Sequence, residues 1–379
     1  MIPGMDDTQV LPVVEIPPLS GWQPTPDGVW TGRCDGASSA HARWHQRIRP
    51  WEPGSIQRGD VAILGFASDE GVRRNHGRPG AAQAPDMIRA ALAPIALSSM
   101  SPRAWEGLSS SLLLEATAMS SAGLAMPMMM PMSGTERPAD ARPLDLHDAG
   151  TVHLIDDDLE TGQEMLGRVI AELLDSHRLT VVLGGGHETA YGTYLGLHGS
   201  RRGERARIGV INLDAHFDLR DEDRATSGTP FAQMARRELA AGRDLRYLVL
   251  GVSPTSNTRA LFETAHQLQT TYLLDTHCTP RHLSHIEHLV DRFVRDVDIV
   301  HLSIDVDVLP ASIAPGVSAP AAFGVPLETL LEICHRVSES GKLAVVDVVE
   351  VSPPYDVDGI TCRAAARLVS TLVEALPIS

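Results

Sequence analysis

Near the middle of the chain the apolar run "GVINL" ends in "DAHFD", which places Asp214, His216 and Asp218 two residues apart. In an extended chain, side chains at i, i+2 and i+4 share one face. Two carboxylates and an imidazole converging beside an apolar strand are costly unless something positive lies between them. Two other apolar runs end in a similar way. "TVVLGGGHE" passes through Gly184–Gly186 into His187, and "HLSIDVDVL" sets Asp305 and Asp307 two apart. Together the three strand ends offer two imidazoles and four carboxylates, with no thiolate among them. That is more than one catalytic ion takes while keeping an open position. Two ions about 3.5–4 Å apart, sharing carboxylates, fit better. Oxygen-rich ligation with imidazole suits Mn²⁺, so the expected cofactor is two Mn²⁺ per subunit. Co²⁺, Ni²⁺ and Fe²⁺ accept the same donors, because the affinity order alone does not select manganese. About four positive charges would keep the aspartates ionised. A lone D-x-D is usually a turn or cap, and a lone GGGH is usually a glycine loop. All three motifs in one chain point to a binuclear centre.

These motifs need a scaffold that brings distant strand ends together. "GDVAILGFA" reads as a buried strand over Val61 to Phe66, and "SDEGVRRNHGRPGAAQ" follows as a long polar loop. Pro85 in "APDMIRAAL" suits the first turn of a helix. In "LETGQEMLGRVIAELLDSH", Leu166, Val169, Ile170, Leu173 and Leu174 form one helical stripe. "ARIGVINLD", "LRYLVLGV", "DIVHLSID" and "KLAVVDVVEV" are further strands, with helices expected at "NTRALFETAHQLQ" and "LETLLEICHRVSE". Continuous apolar strands alternating with helices predict a parallel sheet covered on both faces. In such sheets ligands bind beyond the carboxyl ends of the strands, where the three motifs lie.

Residues 1–57 are rich in Pro, Gly and Trp and read as an irregular N-terminal arm. Residues 58–379 read as a single catalytic domain, interrupted around 96–143 by a low-complexity Met-rich insertion, "MSSAGLAMPMMMPMSG". The formal charge of −16 argues against nucleic acid and anionic membrane surfaces as partners. No apolar stretch reaches the roughly 18 residues that span a bilayer. The N-terminus lacks the pattern of a signal peptide. Cys34, Cys278, Cys334 and Cys362 are scattered and read as reduced thiols, so a cytoplasmic setting is expected.

"GGGHE", "DAHFD" and "SIDVDVL", in this order, resemble the ureohydrolases, the arginase and agmatinase superfamily of binuclear manganese enzymes. The resemblance covers roughly residues 58–379 apart from the Met-rich stretch. It implies an α/β fold, a three-layer α/β/α sandwich with a mainly parallel sheet, and a homo-oligomer. It also implies a ligand scheme. His187 and Asp218 would bind the first metal and His216 and Asp307 the second, while Asp214 and Asp305 bridge both. Asp218 would orient the attacking water and relay a proton. Glu350, in "VVEVSPPYD", would contact the amidine or guanidine nitrogens of the substrate.

"GVRRNHGRPGA", "DAHFDLR" and "SGTPF" are similar to the branch that cleaves N-formimidoyl-L-glutamate to L-glutamate and formamide, a step of histidine degradation. The residues agree with a small acidic amidine as partner. Arg220 lies two residues beyond Asp218 and so shares its face. An arginine there can hold a carboxylate through two parallel hydrogen bonds. Arg73, Arg74 and Arg78 follow the first core strand and are candidates for the second carboxylate, and Ser227 of "SGTPF" joins Arg220, Arg73 and Arg74 as an expected substrate contact. Arginase-like members carry a histidine proton shuttle where this chain has Phe231, which argues against a guanidino substrate such as agmatine or guanidinobutyrate and against urea as the product. Those substrates form the second reading. A metal-stabilised protein without activity is the third, and the complete ligand set argues against it.

Overall fold

The computed structural model describes residues 20–97 and 143–377. The Met-rich stretch lies outside the described residues. The strands are β1 (Trp22–Gln23), β2 (Ile48–Pro50), β3 (Gly59–Ala67), β4 (Leu146–His153), β5 (His177–Leu183), β6 (Ile208–Leu213), β7 (Arg246–Val252), β8 (Thr271–Leu274), β9 (Ile299–Asp305) and β10 (Leu343–Val349). They form one sheet in the order β1-β4-β3-β5-β10-β9-β6-β7-β8, with β2 also on β4. Every pairing is parallel except β1 with β4. β9 and β10 are buried along their whole length, which is why their sequences are apolar without alternation.

Ten helices accompany the sheet among the described residues: α1 (Trp44–Arg47), α2 (Glu70–Arg74), α3 (Ala84–Leu92), α4 (Leu159–Ser176), α5 (Thr189–Gly199), α6 (Pro230–Ala240), α7 (Arg259–Gln267), α8 (Leu283–Arg295), α9 (Leu327–Glu339) and α10 (Ile360–Glu374). Helices α3, α8, α9 and α10 supply one apolar layer, with Ile88, Val290, Ile333 and Leu368 buried in it. Helices α4 to α7 supply the other, through Leu166, Ile170, Tyr194, Met234 and Leu261. The expected stripe on α4 is fully buried. The result is a three-layer α/β/α sandwich. No helix among the described residues is long and apolar enough to cross a membrane.

The order of the central strands positions the chemistry. β5, β10, β9 and β6 are consecutive neighbours, although far apart in the chain. Their carboxyl ends carry the "GGGHE", "VVEV", "SIDVDV" and "DAHFD" stretches, so all four open into one crevice.

One expectation needs correction. The polar stretch after Phe66 is not a plain loop, because it contains helix α2 and a single 3₁₀ turn at Ala81–Gln83. The Gly71 amide in the first turn of α2 donates to the Glu188 carboxylate, a partner distant in sequence that local patterning cannot show.

At the opposite end of the sheet, His147 of β4 and His177 of β5 meet across the first residue of β3. A side chain at Gly59 would collide with both rings. His147 Nδ1 lies 2.9 Å from His177 Nε2, so one ring donates and the other accepts. Burial, then the neighbouring His147, pulls His177 down to about 4, and burial also lowers His147. The folded state therefore keeps a neutral pair that the unfolded chain protonates near pH 6.5. The stability this contributes is complete above the unfolded value and is lost as pH falls toward about 4. Urea titrations of the wild type and His177→Gln at pH 7.5 and 5 should show the variant losing less stability on acidification, by on the order of 1–2 kcal/mol. An identical loss in both proteins would remove the pair as an acid-sensitive element.

Candidate metal centre

His187 follows the turn Gly184–Gly186 between β5 and α5. The turn requires glycine at position 185, where a Cβ would fall 1.7 Å from the Ser68 carbonyl oxygen. Asp214, His216 and Asp218 leave the end of β6, Asp305 closes β9, and Asp307 sits in the 3₁₀ turn Val306–Val308. Two groups of donors result. His187 Nδ1 lies 3.2 Å from Asp214 Oδ2, 2.8 Å from Asp218 Oδ2 and 3.1 Å from Asp305 Oδ2. His216 Nδ1 lies 3.4 Å from Asp214 Oδ1 and 3.2 Å from Asp307 Oδ2. Asp214 belongs to both groups, one oxygen facing each histidine. Asp305, expected to bridge, falls in the His187 group, and its Oδ1 accepts the Asp307 amide at 2.8 Å.

The electrostatics show what this cluster needs. Burial, then the Asp307 and Asp214 charges, drives Asp305 well above the usual carboxylate range, and burial with Asp214 raises Asp218. Burial pushes Asp214 up as well, but hydrogen bonds to His187 and His216 hold it below its ordinary value. Both imidazoles are raised well above theirs by the surrounding aspartates, against the opposing effect of burial. With protein alone, the histidines must act as the counter-cations. Divalent ions at the same places would satisfy the carboxylates and leave the imidazoles neutral. Two buried atoms mark where such ions fit: His187 Nδ1 faces three carboxylates at 2.8–3.2 Å, and Asp307 Oδ1 accepts no hydrogen bond among the described residues. The donor set is oxygen and imidazole nitrogen, as divalent manganese prefers.

Glu350, just past β10, has a left-handed backbone at φ +66°, and Asp218 has φ +48°. Such angles are uncommon for residues other than glycine and collect at functional sites. Glu350 Oε1 accepts the His187 amide at 2.9 Å, and the Glu350 amide donates to the Gly185 carbonyl at 2.9 Å. Burial and the nearby Glu188 push Glu350 up to about 8.

Several contributors escape the motif reading. With His187 Nδ1 turned to the carboxylates, Nε2–H donates to Ser303 Oγ at 3.0 Å. The Ser303 hydroxyl donates to Asp347 Oδ1, and His301 Nε2–H donates to Asp347 Oδ2. His301, Ser303 and Asp347 are completely buried. Asn212 Nδ2 donates to Asp214 Oδ2 at 2.9 Å and contacts Tyr247 Oη at 3.0 Å. The alternation that reveals Asp305 would also have revealed His301 and Ser303, four and two residues earlier, and Asn212 before Asp214.

The expected substrate residues divide. Arg220 is exposed, its stem packs on Gly228, its amide donates to Gly228 O at 3.0 Å, and its guanidinium forms no ion pair among the described residues. Arg74 is nearly buried and bound to Glu70, Glu160 and the Ala225 carbonyl. Arg73 pairs with Asp69, Glu70 and Asp157. Arg78 is tied to the Val317 and Ser318 carbonyls and stacks over Tyr355. These three serve internal contacts. Ser227 is buried and accepts from Asn75 Nδ2 at 3.0 Å. Phe231 is buried, edge-on to His187 at 5.2 Å and stacked on Tyr247 at 4.5 Å. It forms a dry wall behind a ligand and holds no proton to deliver.

A profile of the arginase family matches residues 59–374, and the chain belongs to that family. Within it, a formimidoylglutamase of Rhodococcus opacus (strain B4) is 47% identical over 355 residues, covering 93% of this chain and 97% of its own. A formimidoylglutamase of Nocardia farcinica (strain IFM 10152) is 47% identical over 345 residues, covering 91% and 95%. The crystal structure of formimidoylglutamase from Bacillus subtilis superposes with a TM-score of 0.69 over 93% of this chain and 95% of that one, at 21% identity. That of Trypanosoma cruzi formiminoglutamase with Mn²⁺ gives 0.66 over 84% and 93%, at 24% identity. These superpositions establish the arginase-like fold.

If the Ser303–Asp347–His301 chain orients His187 for a cation, Asp347→Asn should weaken Mn²⁺ binding about 10–100-fold. Calorimetric titration of metal-free protein measures this directly. Wild-type affinity in a folded variant would reduce the chain to packing.

Proposed function

We propose that the chain hydrolyses N-formimidoyl-L-glutamate to L-glutamate and formamide, with two manganese ions bound per subunit. The observation that carries this reading is 47% identity, across more than nine-tenths of both chains, to enzymes named formimidoylglutamase. The site chemistry supports it. His187, Asp214, Asp218 and Asp305 would hold one ion, and Asp214, His216 and Asp307 the other. Bound there, the ions would supply a water whose pKa is lowered toward neutrality.

The chain's own groups do the rest. Asp218 accepts a hydrogen bond from the attacking water and aims it at the formimidoyl carbon. That carbon is electrophilic because the amidinium is protonated. Glu350 offers Oε2 to the amidinium, since Oε1 is engaged by the His187 amide. Attack gives a tetrahedral carbon bearing both nitrogens. The bond to the α-nitrogen of glutamate then breaks as that nitrogen takes a proton relayed by Asp218. Formamide and glutamate leave. Arg220, free of internal ion pairs among the described residues, binds a substrate carboxylate, and Ser227 lies on the same side of the site through its bond to Asn75. Arg73 and Arg74 are compensated within the protein and take no substrate role in this reading. A guanidino substrate is not favoured. Phe231 cannot supply the proton that a shuttle histidine would, and Arg220 would repel a cationic tail. The same reading includes a cytoplasmic setting in histidine degradation, which the four free thiols suit, and a homo-oligomeric assembly.

Protein reconstituted with Mn²⁺ should release formamide and glutamate in equal amounts from formimidoylglutamate, and no urea from arginine, agmatine or guanidinobutyrate. Urea from any of these would overturn the substrate assignment while keeping the metal centre. Asp218→Asn should lower kcat by at least about 100-fold. Arg220→Ala should chiefly raise KM, by roughly 10–100-fold. An unchanged KM would remove Arg220 from the carboxylate site.

A further inference from the structure

We infer that Glu188 is a positioning residue for substrate binding, fastening the turn Ser68–Asn75 to the loop that carries His187. This rests on the formimidoylglutamate reading for its kinetic consequence, but its structural part stands alone. Glu188 is completely buried, and among the described residues its carboxylate bonds to Ser68 and Gly71 rather than to the candidate metal donors. Its Oε1 accepts the Ser68 hydroxyl at 2.7 Å and the Gly71 amide at 3.1 Å. An unpaired carboxylate at this depth is expensive, so the two donors define where the Ser68–Gly71 backbone must lie.

The surroundings are shaped to admit this side chain. A Cβ on Gly71 would fall 2.4 Å from Glu188 Oε2, and one on Gly186 would fall 2.2 Å from it. The two strand-end turns therefore come this close to the carboxylate only because both positions are glycine. Backbone bonds complete the joint. The Gly186 amide donates to the Ser68 carbonyl at 3.1 Å, and Gln163 Nε2 donates to the Glu188 carbonyl at 2.8 Å.

The consequence lies at the far end of the turn. Asn75 reaches Ser227 Oγ, and Arg74 reaches the Ala225 carbonyl at 3.0 Å. The 225–228 segment in turn fixes the Arg220 backbone through Gly228 O. Glu188 is thus the inner anchor of a bracket whose outer end presents Ser227 and Arg220. Loss of the anchor frees the bracket and leaves the metal ligands in place.

The test compares Glu188→Ala, Glu188→Gln and Ser68→Ala as Mn²⁺-loaded enzyme. In Glu188→Ala, KM for formimidoylglutamate should rise about tenfold or more, with kcat and Mn²⁺ affinity within about threefold of wild type. Ser68→Ala should give a smaller rise of the same kind, and the double variant should be no worse than Glu188→Ala. Glu188→Gln keeps an acceptor oxygen and should restore most of the wild-type KM. Hydrogen exchange should accelerate at the amides of residues 70–75 in Glu188→Ala. Unchanged KM and exchange in both alanine variants would refute the anchor, as would a fall in Mn²⁺ affinity in step with KM. Should Glu188→Ala fail to fold, Ser68→Ala decides by the same readouts. If the wild type does not cleave formimidoylglutamate, the functional reading fails, and the exchange rates still decide the anchor.

Discussion

Four aspartates and two histidines converge so that the donor atoms of each group lie within 4.8 Å of one another, with only Asp218 and His216 partly open to solvent. Like charges at that distance in a buried site cannot all remain ionised without cations between them. In the protein alone, the conflict raises two of the aspartates and forces protons onto both imidazoles. The surrounding structure holds this arrangement in place. The apolar strands anchor the strand ends, and the glycine turns bring backbone close enough for His187 and Glu350 to meet.

The support around the cluster is itself directional. His187 cannot rotate without breaking its bond to Ser303, which is fixed by Asp347 and in turn by His301. Asp214 is held by Asn212 and by the His216 amide. Such contacts orient a ligand before any ion arrives and lower the cost of organising it. Asp218 and Glu350, the two groups assigned to proton transfer and amidinium binding, sit on left-handed backbone held by neighbouring turns.

Specificity is built differently from catalysis. The cluster is shared chemistry, suited to water attack on an amidine or guanidine carbon. In the proposed reaction the choice among such substrates would fall to Arg220, which forms no ion pair among the described residues, and to Phe231, whose ring lies edge-on to His187. Arg73, Arg74 and Arg78 illustrate how composition misleads. All three lie in the right loop, but their guanidinium groups are taken up by Glu70, Asp157, Glu160 and backbone carbonyls.

The amino-acid sequence alone identified the parallel sandwich, because buried parallel strands must be apolar throughout and helices must show a 3.6-residue stripe. It also picked out the six side chains that the structure brings together, because period-two spacing at strand ends is a local property of an extended chain. It gave no sign of the Asp347 support, of the bond from Glu188 to Gly71 or of the helix whose first turn that bond meets. Those depend on strand order: β5, β10, β9 and β6 are neighbours only in space. Tertiary structure likewise decided which arginine forms no ion pair among the described residues. Charge is a property of the residue, whereas neutralisation depends on what lies within about 4 Å of it, and for Arg73 and Arg74 those partners include residues more than eighty positions along the chain.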